Sequence, residues 1–82
     1  MVREVVLDAM HDVTDMTYTS TEQVLTSLQI VNRGAASLTL QVNDLEITVD
    51  VDEVLDESYD LFSTFTILAT GAYEVLVRGL VQ

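Results

Sequence analysis

The closing stretch of the sequence, Leu61–Leu80, constrains the fold more than any other part of the chain. It is rich in Phe, Ile, Val, Tyr and Thr and is divided by Thr70-Gly71, which predicts two strands joined by a tight turn. One face of this predicted hairpin carries five apolar side chains: Phe62, Leu68, Tyr73, Val75 and Val77. The other face carries Phe65, Ile67, Leu76 and Leu80. Because both faces are apolar, we expect the chain's own core to cover one of them and another subunit to cover the other.

Three further stretches read as strands. Ser37–Val42 and Leu45–Val51 alternate between apolar and polar residues, and the Asn43-Asp44 pair between them suits a two-residue hairpin turn. Gln23–Asn32 could begin with a capping box and form a helix, but its own alternation and its β-branched residues favour a strand. The middle of the chain therefore predicts antiparallel sheet.

The N-terminal residues leave two structures open. Val2–Val13 has apolar residues at helical spacing, but Val is a poor helix former, so a short helix and an extended arm both fit. Thr14–Glu22 is interpreted as a connector or an edge strand, and Asp52–Asp60 as an acidic loop with a short strand emerging at its end. The sequence thus predicts an all-β protein, a small antiparallel β-sandwich or jelly-roll-like domain of about five to seven short strands. Residues 1–22 would form an N-terminal arm and residues 23–82 a single sandwich domain.

Charge narrows the classes of partner. The formal net charge is -11 over 82 residues, Lys is absent, and the only basic residues besides one His are Arg3, Arg33 and Arg78. Nucleic acids and anionic membranes are bound mainly through Lys and Arg, so we expect neither as a partner, and no apolar stretch is long enough for membrane insertion. Carboxylates without lysines are typical of adaptation to high salt, although chance in a small acidic protein is the alternative.

Size points towards oligomerisation. A chain of 82 residues buries only roughly 60% of its unfolded surface, which is a marginal core unless disulfides, a metal or another subunit secures it. The chain has no Cys, which excludes disulfides. A metal has weak support: Asp50 and Asp52 on one strand face, with Glu53 beside them, could share Ca²⁺, but a solvated acidic face is the favoured interpretation. A homo-oligomer is therefore expected, with no cofactor.

The sequence lacks catalytic machinery. His11 is the single histidine and has no Cys or Lys to act with, so neither a nucleophile paired with a base nor a transition-metal site is indicated. The glycines Gly34, Gly71 and Gly79 are isolated and form no phosphate-binding loop. We therefore expect no enzymatic activity and no catalytic residues.

The strand and turn pattern resembles a known class of virus proteins. A strand ending in Asn-x-Gly (Asn32 to Gly34) is followed by a short hairpin, an acidic segment and the closing F-x-x-x-x-I-x-A-T-G-A-Y-x-x-x-V-R-G run from Phe62 to Gly79. Over Val24–Gly79 this is similar to the small β-sandwich virion proteins of tailed viruses of prokaryotes. The resemblance implies a capsid decoration, turret, neck or tail accessory protein located in the virion. The absence of Lys departs from the pattern and fits a halophilic host.

These expectations combine into one functional hypothesis and one alternative. The hypothesis is a structural virion component that forms a homo-oligomer and docks on other capsid, neck or tail proteins. Phe62, Leu68, Tyr73, Val75 and Val77 would form the interface, with Arg3 and Arg78 paired to carboxylates of neighbours. The alternative is an extracellular β-sandwich binding module that recognises a glycan or a cell-surface protein with Ca²⁺ assistance, and it requires exposed aromatic side chains.

Overall fold

The fold is all-β. A computed structural model describes residues 3–81, and no helix occurs among them. The described residues form eight strands: β1 (Arg3–Asp12), β2 (Met16–Thr19), β3 (Val24–Asn32), β4 (Leu38–Val42), β5 (Leu45–Val49), β6 (Val54–Phe62), β7 (Thr64–Leu68) and β8 (Tyr73–Val81). They make two antiparallel four-stranded sheets, sheet 1 in the order β1-β8-β3-β6 and sheet 2 in the order β2-β7-β4-β5. This order is that of a jelly roll, so the predicted fold class is confirmed, with one strand more than expected.

The roll is a single long hairpin folded over on itself. Val42 pairs with Leu45, so Asn43-Asp44 forms a two-residue turn, and Asn43 adopts the positive φ (54°) that such a turn needs. From this centre, β3 pairs with β6, β2 with β7 and β1 with β8. The predicted hairpin at Asn43-Asp44 is therefore confirmed and is the central turn of the whole fold.

The predicted closing hairpin is wrong. β7 pairs with β2 and β4 in sheet 2, whereas β8 pairs with β1 and β3 in sheet 1. Thr70-Gly71 thus connects the two sheets and does not close a hairpin between paired strands. Each strand buries one apolar face in the same core, Phe65 and Ile67 from one side and Tyr73 from the other. Each predicted face is therefore divided between the core and the surface, because Leu68, Leu76 and Leu80 point away from the core.

The N-terminal segment belongs to the sandwich. β1 pairs with β8 from Arg3 to Asp12, and β2 pairs with β7, so this segment supplies an edge strand to each sheet. Of the two predicted structures, the extended one is correct and the helix is wrong. The segment is a strand of the sandwich, however, and not an arm that precedes it. The helical spacing of its apolar residues arises because a β-bulge between Val6 and Asp8 shifts the alternation in the middle of the strand. Residues 1 and 2 lie outside the described part.

The acidic segment after β5 is also a strand. β6 runs from Val54 to Phe62 and pairs with β3, where an acidic loop with only a short strand at its end was predicted. Its charged side chains are tolerated because β6 is an edge strand, with water on one side and on its outer face. β5 is an edge strand as well, which leaves Leu45 half-exposed where the alternation predicts a buried position.

Two loops are joined at one end of the sandwich by a contact between glycines. A Cβ atom on Gly71 would lie 3.0 Å from the Cα atom of Gly34, and one on Gly34 would lie 2.9 Å from the Cα atom of Gly71. Neither glycine has a positive φ. Glycine is needed at residues 34 and 71 for the close approach between the two backbones and not for a positive φ.

Asn32 is the polar centre of this end. It is 2% exposed, and its side-chain amide nitrogen donates to the carbonyl oxygens of Ala36 (2.9 Å) and Val49 (3.0 Å). Its side-chain oxygen accepts a bond from the Gly34 amide at 3.0 Å. One buried side chain thereby joins the end of β3 to the following loop and to β5, with its hydrogen-bonding groups satisfied.

Candidate functional site

The outer face of sheet 1 is the strongest candidate for an interaction surface. Along β8, inward-facing Tyr73, Val75 and Val77 are buried, and the alternate residues point outward. The strand register places Leu76 beside Ala9 of β1 and Gln29 of β3. The apolar residues of this face include Val6, Ala9, Val24, Val31, Val54, Leu76 and Leu80. We call this surface the sheet 1 outer face.

A groove of about 300 Å³ lies in this face and is lined by residues of β1, β3 and β8. Ala9, Val31 and Leu76 give it an apolar lining, and His11 and Glu74 also line it. The small side chain of Ala9 leaves space between its larger neighbours. An apolar side chain of a docking protein would fit such a groove.

Two carboxylates of the sheet 1 outer face are paired with arginines, and a third, Glu4, accepts a hydrogen bond from the Thr26 hydroxyl. Nε of Arg33 lies 3.0 Å from Oε2 of Glu74, and Nη1 of Arg78 lies 3.1 Å from Oδ1 of Asp56. Both pairs are solvent-accessible and add little to the free energy of unfolding, but they cancel charge on this face. Arg78 was expected to pair with a carboxylate of a neighbouring subunit. Within the chain it is already paired, and Nη1 also lies 3.4 Å from Oγ of Ser27.

Most other carboxylates lie at the turns and the edges of the sandwich. On one side they are Asp44, Asp50, Asp52, Glu53, Glu57 and Asp60, in turns or on edge strand β6, and on the other side they are Asp8, Asp12 and Asp15. Charged edges oppose unspecific pairing between sheets of different molecules. The acidic side chains of this chain are therefore concentrated where they oppose unspecific strand pairing, and the sheet 1 outer face is comparatively neutral.

The weak calcium candidates form a turn instead of a strand face. β5 ends at Val49, and Asp52 has a φ of 63°, so Asp50 and Asp52 do not alternate along an extended strand as predicted. Oε1 of Glu53 accepts a hydrogen bond from the Asp50 amide at 3.0 Å, and the Glu53 amide donates to the Asp50 carbonyl at 3.1 Å. The Glu53 carboxylate thus closes the turn. Within residues 3–81, no group of three or more acidic, His or Cys side chains is arranged to hold a metal ion.

The expected interface residues are mostly core residues. Phe62, Tyr73, Val75 and Val77 are buried within the chain itself, because they face the opposite sheet. They are therefore not available to another subunit, and this part of the prediction is wrong. Leu68 is 40% exposed on the outside of sheet 2. Arg3 is exposed on edge strand β1, where it can reach a neighbour.

The sequence contains the signal for the sheet 1 outer face, but we assigned it to the wrong layer. The sequence places Leu76 and Leu80 on one side of the closing strand, and the predicted hairpin puts that side in the core with Phe65 and Ile67. The assignment to the core is wrong because it depends on a pairing of β8 with β7 that the structure does not have. Ala9 and Val31 could not be added without the register of β1 and β3 on β8.

The outer face of sheet 2 has a different chemistry. Its central rows are rich in threonine: Thr17, Thr19, Thr39, Thr48, Thr64 and Thr66. The hydroxyls of Thr17 and Thr66 lie 3.1 Å apart, as do those of Thr19 and Thr64, so cross-strand neighbours satisfy one another. This face is polar and offers little apolar surface to a partner, which makes it a useful internal control.

Tyr73 secures the end of β1 from inside the core. Its hydroxyl donates to the Thr14 carbonyl at 2.5 Å, just after β1 ends. Burial, with the charges of Asp12 and Asp15, raises the pKa of Tyr73 to about 12. Burial also raises the pKa of Tyr18 and of Tyr59.

A raised tyrosine pKa makes stability depend on alkaline pH. The folded state favours the neutral phenol, so the stability that Tyr73 contributes is complete below the ordinary pKa of 10.0 and is lost as the pH rises through about 12. We expect the urea midpoint of the natural chain to fall between pH 10 and 12 more steeply than that of Tyr73→Phe. Circular dichroism would measure both midpoints. Parallel curves for the two proteins would contradict this role of Tyr73.

The function of this chain has to be inferred from the surfaces described above, because no protein-family model and no curated protein matches it. Within residues 3–81, no helix is long and apolar enough to cross a membrane.

Proposed function

We propose that this protein is a non-enzymatic structural component of a tailed virus particle, which forms homo-oligomers and docks on other capsid, neck or tail proteins. The observation that carries the proposal is the sheet 1 outer face, which is apolar, grooved and comparatively neutral in an otherwise strongly acidic chain. Exposed apolar patches of this kind, rimmed by polar residues, are typical of protein interaction sites. Docking through this face would also enlarge a small core.

The fold agrees with this proposal without deciding it. Jelly rolls of eight strands build viral capsid domains and also lectin domains. Function follows from the surface and not from the fold alone. The pattern resemblance over Val24–Gly79 favours the first class, because it is to virion proteins.

The glycan-binding alternative has less support. It requires aromatic side chains on the surface, but Phe62, Phe65 and Tyr73 are buried and both other aromatics pack against the core. The Tyr18 ring stacks on Phe65 with 5.4 Å between ring centroids. The aromatic side chains of the chain are therefore used in packing.

High salt is the condition in which the proposed association works. At about 1 M salt the Debye length is roughly 3 Å, so repulsion between acidic rims of neighbouring copies is screened. Apolar contacts on the sheet 1 outer face are not weakened by such screening. The proposal includes a halophilic host, supported by the net charge of -11 and the absence of Lys.

Two matched variants test the interaction surface. We expect Leu76→Glu to reduce the size of the oligomer that sediments at about 1 M salt, because it puts a charge in the centre of the sheet 1 outer face. Thr66→Glu adds the same charge to a central strand on the opposite face and should leave the oligomer intact. A folded natural chain that sediments as a monomer would overturn the proposal. Equal loss of association in both variants would remove the sheet 1 outer face as its basis.

A further inference from the structure

Four strand edges of the described sandwich are free: β1 and β6 in sheet 1, and β2 and β5 in sheet 2. Only β1 carries basic side chains, Arg3 and His11, together with Glu4, Asp8 and Asp12. β6 and β5 carry carboxylates alone, and β2 has no charged residue and only four residues. If any edge pairs with an identical edge, β1 is the one that can oppose unlike charges.

The charges on β1 are arranged symmetrically about its middle. The register with β8 puts Glu4, Val6, Ala9 and His11 on the outer face, because they lie opposite the outward residues of β8. Arg3, Val5, Met10 and Asp12 lie on the inner side. The β-bulge between Val6 and Asp8 shifts the alternation at the midpoint. Residues at equal distances from the midpoint therefore lie on the same face, and the charged ones among them have opposite charges.

We propose that a second copy of this chain pairs antiparallel along β1, about a two-fold axis between Leu7 and Asp8. Arg3 then faces Asp12 of the second copy, and Glu4 faces His11. Each contact occurs twice, as two-fold symmetry requires, and the assembly closes as a dimer. The apolar pairs are Val5 with Met10 and Val6 with Ala9. This inference rests on the homo-oligomeric part of the proposed function and names the edge and the register.

Other registers are worse. A slip of one residue puts Glu4 opposite Asp12 and Asp8 opposite its own copy, and it sets outer-face residues against inner-face residues. A slip of one residue in the other direction puts Arg3 opposite His11. Slips of two residues keep the faces but leave no pair of unlike charges, as with Glu4 opposite Ala9. Among these registers, the symmetric one alone pairs unlike charges on matched faces.

The backbone hydrogen bonds between the two copies would form on either side of the two-fold axis and not at its centre. The Asp8 carboxylate accepts a hydrogen bond from the Ala9 amide at 2.9 Å, which already satisfies one backbone donor near the centre. Residues 3–6 of one copy and 9–12 of the other therefore form the ladder. Sheet 1 of both copies becomes one sheet of eight strands. The groove beside Ala9 and His11 then adjoins Val6 and Glu4 of the second copy, and the sheet 1 outer face continues across the axis.

Disulfide trapping tests the register, and the chain has no Cys to interfere. Residues directly opposite each other in an antiparallel pair have Cα atoms about 4.5–5.5 Å apart, within the range for a disulfide. A 1:1 mixture of V6C and A9C under mild oxidation should give the mixed disulfide dimer as its main product. The control mixture is V54C with A9C, because Val54 is 55% exposed on edge strand β6 and Val6 is 54% exposed. This control should remain uncross-linked.

A charge exchange gives an independent readout. R3D places a carboxylate opposite Asp12 of the second copy at each end of the ladder, and it should raise the dissociation constant of the dimer about ten-fold. R3D combined with D12R restores unlike pairs and should recover most of that loss. An oligomeric natural chain that gives no V6C–A9C product, or no recovery in the double variant, overturns the β1 register and leaves the proposed function standing. A natural chain that is monomeric at about 1 M salt overturns both.

Discussion

Replacing Asn32 by Asp is expected to destabilise the fold by about 3–5 kcal/mol, although the two side chains have nearly the same shape. The substitution removes the amide that donates to the Ala36 and Val49 carbonyls and puts a carboxylate oxygen in its place. One buried acceptor and one partly buried acceptor lose their donor, and a charge is buried without a partner. The loss should diminish at acidic pH, where a protonated carboxyl regains one donor.

The matched control is the same substitution at Asn43. That side chain is exposed and donates to the Asp60 carbonyl at 3.3 Å, and Asp tolerates the positive φ of the turn. We expect Asn43→Asp to cost less than about 1 kcal/mol. Urea unfolding at constant salt would measure both variants. Similar losses for Asn32→Asp and Asn43→Asp would contradict the central role of the buried amide.

The second large effect is expected at Ile67. Ile67→Ala removes a fully buried side chain between the two sheets and should cost about 2–5 kcal/mol. The neighbouring Leu68→Ala should cost less than about 1 kcal/mol, because Leu68 is half-exposed on the outer face of sheet 2. The two variants differ by one position in β7 and remove side chains of similar volume. The measurement is again the free energy of unfolding in urea.

This pair also separates the observed topology from the hairpin predicted from the sequence. In that hairpin Leu68 shares a face with Tyr73 and Val75. Its truncation would then lower the free energy of unfolding as the loss of other side chains of that face would. In the jelly roll Leu68 belongs to the other sheet and faces away from the core. A loss at Leu68 as large as that at Ile67 would contradict the position of β7 in sheet 2.

The sequence was sufficient for the parts of the fold that depend on local signals. The alternation on both sides of Asn43-Asp44 defined β4, β5 and their turn, and β3 was preferred over a helix for the same reason. Only the end of β6 was predicted as a strand, because an edge strand needs few inward apolar residues and its composition resembles that of a loop. β1 was obscured by its bulge, which gives an extended strand the apolar spacing of a helix.

The pairing of strands could not be predicted from local sequence patterns. A Gly-containing link between two apolar runs fits a hairpin within one sheet and a crossing between two sheets equally well. The choice depends on partners that lie far away in sequence, β2 and β4 for β7, and β1 and β3 for β8. The candidate surface was missed for that reason, since the inner and the outer side of β8 follow from those partners.

The long rolled hairpin also dictates an order of folding. Only the β4–β5 pair, joined by Asn43-Asp44, closes a short loop. Each later pair encloses the one before it, and β1 with β8 spans almost the whole chain, from Arg3 to Val81. Loop closure grows more costly with separation, so we expect the roll to zip outwards from Asn43-Asp44 and to fold slowly. β1 would be placed last, and its own edge would become available for a second copy only when the rest of the sheet is complete.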